Sequence, residues 1–305
     1  MTIYRLHIRP KGGRAVPHES FAYCLKEQVL GLGWRVNSLS SLCPWENYLA
    51  EATLEYGDKE LSRVKYFKKN VKPNDLIWTR NTTGQYYLAR VLSNWEYRDS
   101  PGAKNADIVN VVRCQIKPVP NVDDVPGKVV ACFRPTRTIQ AIRNNSIATY
   151  SKFLWNGLVS EEFYDIDLDE ASHIFSYLSA EETEDVIFIY LQYMGWILVP
   201  SSRRTDTMSY EYYAINKDSG QRAIVQVKTG GEQLDPSDWG DWKEKVFLFQ
   251  SNGLYTQKGT ETIECLEPSK IEEFLYDNMN ILPKRIARWL EFLNKKVHKY
   301  QTPQR

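Results

Sequence analysis

Glu211-Tyr212-Tyr213-Ala214-Ile215, the turn Lys217-Asp218-Ser219-Gly220 and Ala223-Ile224-Val225-Gln226-Val227-Lys228 form the stretch whose reading decides the fold of the second half of this 305-residue chain. Both flanking runs are rich in aromatic and β-branched residues, and the segment between them is a turn signal, so an antiparallel hairpin is expected. If Ile215 faces Arg222 across the turn, the same register sets Glu211 opposite Gln226. Side chains alternate along a strand, so Lys228 projects from the face of Gln226, while Val225 and Val227 point the other way. One carboxylate, one amide and one amine then converge. Such a donor set suits phosphodiester hydrolysis, in which oxygen ligands hold Mg²⁺, the metal lowers the pKa of a bound water, and a lysine orients or deprotonates that water. The plain alternative is a solvated polar face of an ordinary hairpin.

Working outward, Glu181 to Met194 carries Val186, Ile187, Ile189, Tyr190 and Leu191 at the spacing of a mostly buried helix ended by Gly195. Trp196 to Val199 and Lys245 to Phe249 read as further strands, and Ser269 to Tyr276 and Pro283 to Tyr300 as closing helices. The last of these has an apolar stripe of Ile286, Trp289, Leu290 and Leu293, expected to pack on the sheet.

This arrangement resembles the PD-(D/E)XK nuclease superfamily, in particular its Mrr-like restriction endonucleases, in which a QxK strand replaces the usual acidic one. Gln226-Val227-Lys228 matches that strand, and Glu184 with Met194-Gly195-Trp196 matches the preceding helix and its Gly-aromatic step. The resemblance spans about Glu181 to Phe274. It implies Glu184, Glu211 and Gln226 as Mg²⁺ ligands and Lys228 as the water-activating or charge-stabilising residue. The family's first-strand acid is normally aspartate. Here the aligned residue is Glu211, and Asp206 is the alternative ligand.

The first half reads mainly as strands: Ile3 to Arg9, Asp75 to Arg80, Tyr86 to Val91, Ile108 to Ile116 and Val129 to Phe133, with Ser20 to Leu30 as the clearest helix. Lys72 to Arg80 followed by Gly84 to Val91 resembles the strand-hairpin-strand unit of PUA-like barrels, the group that includes EVE, YTH and ASCH domains. Several of those domains hold a flipped or modified base between aromatic walls. Period-two alternation buries half of each strand, so most aromatics here belong to the core. Trp34, Trp45 and Trp95 lie near expected loops and are the better pocket candidates, with Arg80 and Arg90 interleaved for phosphates.

Charge is segregated along the chain although its total is only +1. Residues 1–150 carry a balance of +9, 151–185 of −9, 186–280 of −5 and 281–305 of +6. A basic first half and tail offer phosphate-facing surface, since each neutralised phosphate releases condensed counterions. The five cysteines are scattered and the four histidines are isolated, which excludes a zinc site of ordinary spacing and histidine-metal nucleases. No apolar run reaches the roughly 18 residues of a membrane span, and the opening Met1 to His7 lacks the pattern of a signal peptide, so a cytoplasmic protein without membrane contact is expected.

The sequence thus predicts a two-domain α+β or α/β protein. Residues 1–140 form a PUA-like β-barrel for nucleic-acid recognition, with a modified base as candidate ligand. Residues 141–180 form a helical acidic connector, and 181–305 a restriction-endonuclease-like αβ domain with a central mixed sheet. The expected activity is Mg²⁺-dependent DNA endonuclease of restriction or phage-defence type. The alternative is a catalytically inactive nucleic-acid-binding protein on the same folds. Cutting both strands argues for a homodimer.

Overall fold

The computed structural model describes residues 1–10, 15–134, 137–166, 173–202 and 210–301, and the chain divides into two compact units, Met1–Asp167 and Leu168–Arg305. Both mix helices and strands. Unit 1 holds β1 (Ile3–Leu6), α1 (Pro17–Glu27), β2 (Val29–Leu32), α2 (Trp45–Tyr56), α3 (Ser62–Asn70), β3 (Leu76–Arg80), β4 (Tyr86–Val91), β5 (Glu96–Tyr97), α4 (Pro101–Ala106), β6 (Asn110–Pro118), α5 (Gly127–Cys132), β7 (Ile139–Ala141) and α6 (Asn145–Val159). Unit 2 holds α7 (Ala180–Tyr193), β8 (Trp196–Leu198), β9 (Tyr212–Asn216), β10 (Arg222–Lys228), β11 (Lys245–Gln250), β12 (Ile263–Leu266), α8 (Pro268–Asp277) and α9 (Lys284–Gln301).

The strands of unit 1 form one curled mixed sheet, a half-barrel in the order β2-β6-β4-β3-β1-β7, with β5 also on β6. Only β1 and β3 run parallel, and β2 and β7 end the order. Alternation along the first strand sends Tyr4, Leu6 and Ile8 into the core with Ile77, Ala89 and Val91. The opposite face carries Arg5, His7 and Arg9. On that face Trp78 is fully buried, and its indole N–H donates to Ser151 Oγ of α6 at 3.0 Å. The segment 145–159, expected within a connector, is therefore a helix bonded to the sheet of unit 1. Asn144 caps it by accepting from the Ile147 N–H at 2.8 Å.

Val129 to Phe133, expected as a strand, is instead the end of helix α5 and its C-cap. Pro126 precedes the first helical residue with φ −55, a conformation that starts a helix, and it has no N–H to give a ladder. Helices α2 and α3 bury residues four and three apart. They pack through a few positions, Tyr48, Ala52, Val64 and Phe67.

In unit 2 the sheet order is β12-β11-β10-β9-β8, with β10, β11 and β12 mutually parallel and β8, β9 and β10 antiparallel. This is the expected central mixed sheet. A capping box starts α7: Ser179 Oγ accepts from Glu182 N–H and Glu182 accepts from Ser179 N–H. Gly195, at φ +88, turns the chain from that helix directly into β8, a conformation a side chain resists. One face of the sheet meets α7 and its neighbours through Phe188 on Tyr212, Trp196 on Phe247 and Phe175 on Phe249. The other face packs Ile224, Val246, Leu248 and Ile263 against Leu234 and Trp239. No helix among the described residues is long and apolar enough to cross a membrane.

Candidate functional site

The hairpin of unit 2 adopts the register read from the sequence, with Ile215 opposite Arg222 and Tyr212 opposite Val225. Its turn is held by Asn216, whose Oδ1 accepts from the N–H groups of Asp218 and Ser219. One step past β9, Glu211 N–H donates to Val225 C=O at 2.8 Å, which carries the ladder on and sets Glu211 beside Gln226. The buried Gln226 amide donates to Glu211 Oε1 at 3.2 Å. Glu211, Gln226 and Lys228 line a single cleft of about 440 Å³, which Trp239 and Trp242 also line.

Acidic residues from the following loop enter the same cleft. Lys228 Nζ lies 3.4 Å from Glu232. Asp235 accepts from the Ser237 N–H at 2.9 Å and from the Ser237 hydroxyl and Gln257, and these bonds hold its carboxyl down to about 2. Gln250, fully buried beside Lys228 in the ladder, fixes this loop. Its Nε2 donates to the carbonyls of Gly230 and Glu232 at 2.9 Å, and its Oε1 accepts from Asn252 and Leu254. Sequence reading missed Glu232, Asp235, Asp238 and the two tryptophans. The turn signal Asp235-Pro236-Ser237 was the available clue.

Glu184 of α7 accepts from the Tyr212 hydroxyl at 2.9 Å. Because Tyr212 pairs with Val225, it leaves the strand on the face opposite Gln226. The structure thus brings three of the expected residues to one cleft and holds Glu184 on the helix-covered face. Asp206 lies outside the described residues. Among the described residues, no group of three or more His, Cys, Asp or Glu side chains is arranged to hold a metal. Mg²⁺, however, is commonly held through one or two carboxylates, with waters and substrate phosphates completing its shell. Glu211 and the Gln226 carbonyl, which accepts no hydrogen bond among the described residues, supply hard oxygen donors of that kind.

Unit 1 contains a larger cleft, of about 960 Å³, whose lining includes Trp34, Arg35 and Arg63 at one part and His7, Arg9 and Thr138 at another. The loop carrying Trp34 is tied down carbonyl by carbonyl. Asn110 Nδ2 donates to Gly33 C=O at 2.5 Å, the Tyr48 hydroxyl to Trp34 C=O at 2.9 Å, the Tyr56 hydroxyl to Arg35 C=O, and the Tyr97 hydroxyl to Val36 C=O at 2.8 Å. These bonds hold Trp34 at φ 63, a left-handed conformation rarely adopted by a bulky residue and one that concentrates at binding sites. A Cβ on Gly33 would meet the Asp107 carboxylate at 2.6 Å, so no larger residue fits there without displacing that side chain.

Of the aromatic candidates, Trp34 alone lines this cleft. Trp45 and Trp95 meet edge to face, ring centroids 5.0 Å apart, and both pack on the buried Tyr48. Trp95 N–H donates to Asn110 at 3.0 Å, and Lys68 sits 5.1 Å above the Trp45 ring. Arg80 lies over Phe133 and Tyr86, whereas Arg90 lies 3.9 Å from the Phe163 ring centre and bonds Gln115. The five expected nucleic-acid contacts therefore do not form one surface patch.

No protein-family model matches this chain, and no curated protein matches it. Among solved structures it is similar to the DNA modification-dependent restriction endonuclease AspBHI, at 10% sequence identity and a TM-score of 0.19, over 88% of this chain and 79% of that one. The functional reading accordingly rests on the residues themselves.

Proposed function

We propose that this chain is a Mg²⁺-dependent DNA endonuclease of the restriction type, which hydrolyses phosphodiester bonds at the unit 2 cleft and uses unit 1, a PUA-like half-barrel, to bind DNA and read a base, with a modified base as the candidate ligand. The observation that carries this reading is the convergence of Glu211, Gln226 and Lys228 on one cleft. It is supported by the restriction-endonuclease-like order of elements around it, a helix, three antiparallel strands and a parallel fourth.

In this reading Glu211 and Gln226 would hold Mg²⁺, with Asp206 the alternative to Glu211. When bound, the ion would supply a water of lowered pKa and positive charge beside the phosphate. Lys228 leaves Glu232 for the scissile phosphate and stabilises the charge that builds on its oxygens in the transition state. Trp239 and Trp242 line the same cleft and give it an apolar wall. Water attacks phosphorus, the bond to the leaving oxygen breaks, and that oxygen is protonated from solvent. Two such clefts in a homodimer cut both strands.

A second reading, binding without cleavage, is favoured by the bond of Glu184 to Tyr212 on the opposite face of the sheet. Incubating the full-length protein with methylated, hydroxymethylated and unmodified plasmid, in Mg²⁺ or EDTA, separates the two. Cleavage that requires Mg²⁺ is the expected result. Retained DNA binding with intact plasmid under every condition would replace the first reading by the second.

A further inference from the structure

On the α6-covered face of the first sheet, Phe133 is buried at the centre of a positively charged cluster. The His7 ring meets it edge to face at 4.8 Å, and the guanidinium carbons of Arg80 and Arg5 lie 5.0 and 5.6 Å from its centre. Arg5 is fully buried. It donates to Arg137 C=O, to Thr138 C=O at 3.4 Å and to Gln140 Oε1 at 3.2 Å, and its Nε has no partner. Arg9 follows two residues after His7 and is exposed, as is Arg137.

All the partners of Arg5 are neutral, and among the described residues none of Arg5, Arg9, Arg80 and Arg137 has a carboxylate within ion-pair distance. A fully buried arginine is rare unless paired, because its desolvation is offset only by an opposite charge. The cluster is also self-repelling. Burial pushes Arg5 down to about 10, with Arg9, Arg137 and Arg80 acting in the same direction. Burial, then Arg9 and Arg5, hold His7 down to about 4, so its ring is neutral at physiological pH and donates from Nε2 to Phe133 C=O. Among the described residues the cluster is left without a countercharge, which suits it to an anion. Guanidinium forks match phosphate oxygens in geometry and charge.

We propose that Arg9, Arg80 and Arg137, backed by the buried Arg5, form a phosphate-binding site for a nucleic-acid backbone. The inference rests on the reading that unit 1 binds nucleic acid, and it names where the backbone is held. His7, Arg9 and Thr138 also line the cleft that Trp34 lines, together with Glu19, Glu60 and Asp107, so the arginine cluster adjoins that cleft through Arg9.

Two measurements on the full-length protein test the site. In the first, a labelled short duplex DNA is titrated over a range of salt with wild type, the Arg9→Gln/Arg137→Gln double variant, and Arg113→Gln. Arg113 is an exposed control, ion-paired with Glu96 at 2.8 Å outside the cluster. The double variant is expected to bind about tenfold more weakly or worse and to lower the salt slope by about 0.9, the value of one phosphate contact, while the control stays within about twofold of wild type. In the second, inorganic phosphate is added to wild type while the His7 ring resonances are followed over pH. Bound phosphate is expected to raise the His7 pKa, because an adjacent anion favours the charged ring. Wild type and double variant binding duplex with equal affinity and slope would overturn the site and leave the DNA reading intact. A His7 pKa that responds to phosphate in a protein that binds no duplex would keep the site and overturn the DNA reading. Neither response would sink both.

Discussion

The unit 2 cleft takes Gln226 and Lys228 from β10, the central strand of its sheet, whereas the unit 1 cleft takes Trp34 and Arg35 from a loop held by hydroxyl and amide groups elsewhere in the sequence. In the first case backbone pairing alone sets Gln226 and Lys228 on one face. In the second, Tyr48, Tyr56, Tyr97 and Asn110 must all fold correctly before Trp34 has a fixed position. The charges differ as well. Unit 2 gathers Glu211, Glu232, Asp235 and Asp238 around Lys228, while the unit 1 cleft sets Arg9, Arg35 and Arg63 among Glu19, Glu60 and Asp107. A site resting on strand alternation can be read from a short stretch of sequence, and a site resting on a tethered loop cannot.

The largest expected effect tests the strand-based site. Lys228→Ala should lower Mg²⁺-dependent plasmid cleavage by about 10²–10³, the usual cost of losing a charge-stabilising group in the transition state, with duplex binding nearly unchanged. Steady-state kinetics beside gel-shift titrations check this, and unaltered cleavage would assign the role to another residue.

Next in size is the acid sensitivity of unit 1. The folded chain holds His7 near 4 and the unfolded chain near 6.5, so the unfolded state binds more protons between these values. Stability conferred above pH 6.5 should therefore be lost as pH falls toward 4, on the order of 3 kcal/mol in total. Denaturant melts of wild type and His7→Gln across this range measure it, and parallel curves would show that His7 is not the sensor.

The tryptophans separate the clefted from the packed aromatics. Trp34→Ala should weaken binding to a recognised modified duplex by about 1–3 kcal/mol, the worth of one base-aromatic stack, and spare unmodified duplex. Trp45→Ala should instead lower the melting temperature and weaken both duplexes equally. Identical behaviour of the two variants in gel-shift and melting experiments would remove the distinction. Smallest is Tyr48→Phe, which deletes a hydroxyl that donates to Trp34 C=O and accepts from Asn110 at 2.9 Å. A loss of about 1–2 kcal/mol in a urea melt is expected, the net value of the two hydrogen bonds removed.

How far the sequence foretold these arrangements follows the same division. The hairpin register, the buried helix before it and the meeting of Glu211 with Gln226 came from period two, period 3.6 and one turn. Glu184 did not, because a helix residue's direction depends on how the helix rolls on the sheet, and the Tyr212 hydroxyl holds it on the other face. Val129 to Phe133 misled because two valines in succession suggest a strand where Pro126 starts a helix. The aromatic cluster of Trp45, Tyr48 and Trp95 could not be separated from Trp34 by local position, since all lie near chain reversals. The arginine cluster was hidden for a further reason. Arg5, His7 and Arg9 share a face by simple alternation, but the absence of ion pairs to these arginines among the described residues becomes visible only once Phe133 and Thr138 are placed beside His7.

The tethering of Gly33 through Val36 also bears on kinetics. With four successive carbonyls already engaged, the loop gains nothing by rearranging around a guest, and little order remains to be imposed when one arrives. Encounter should then proceed without a slow closing step, and nucleotides that differ slightly in shape should enter at similar rates. What distinguishes them is how long each one stays, so discrimination by this cleft belongs to residence time and should appear in dissociation traces.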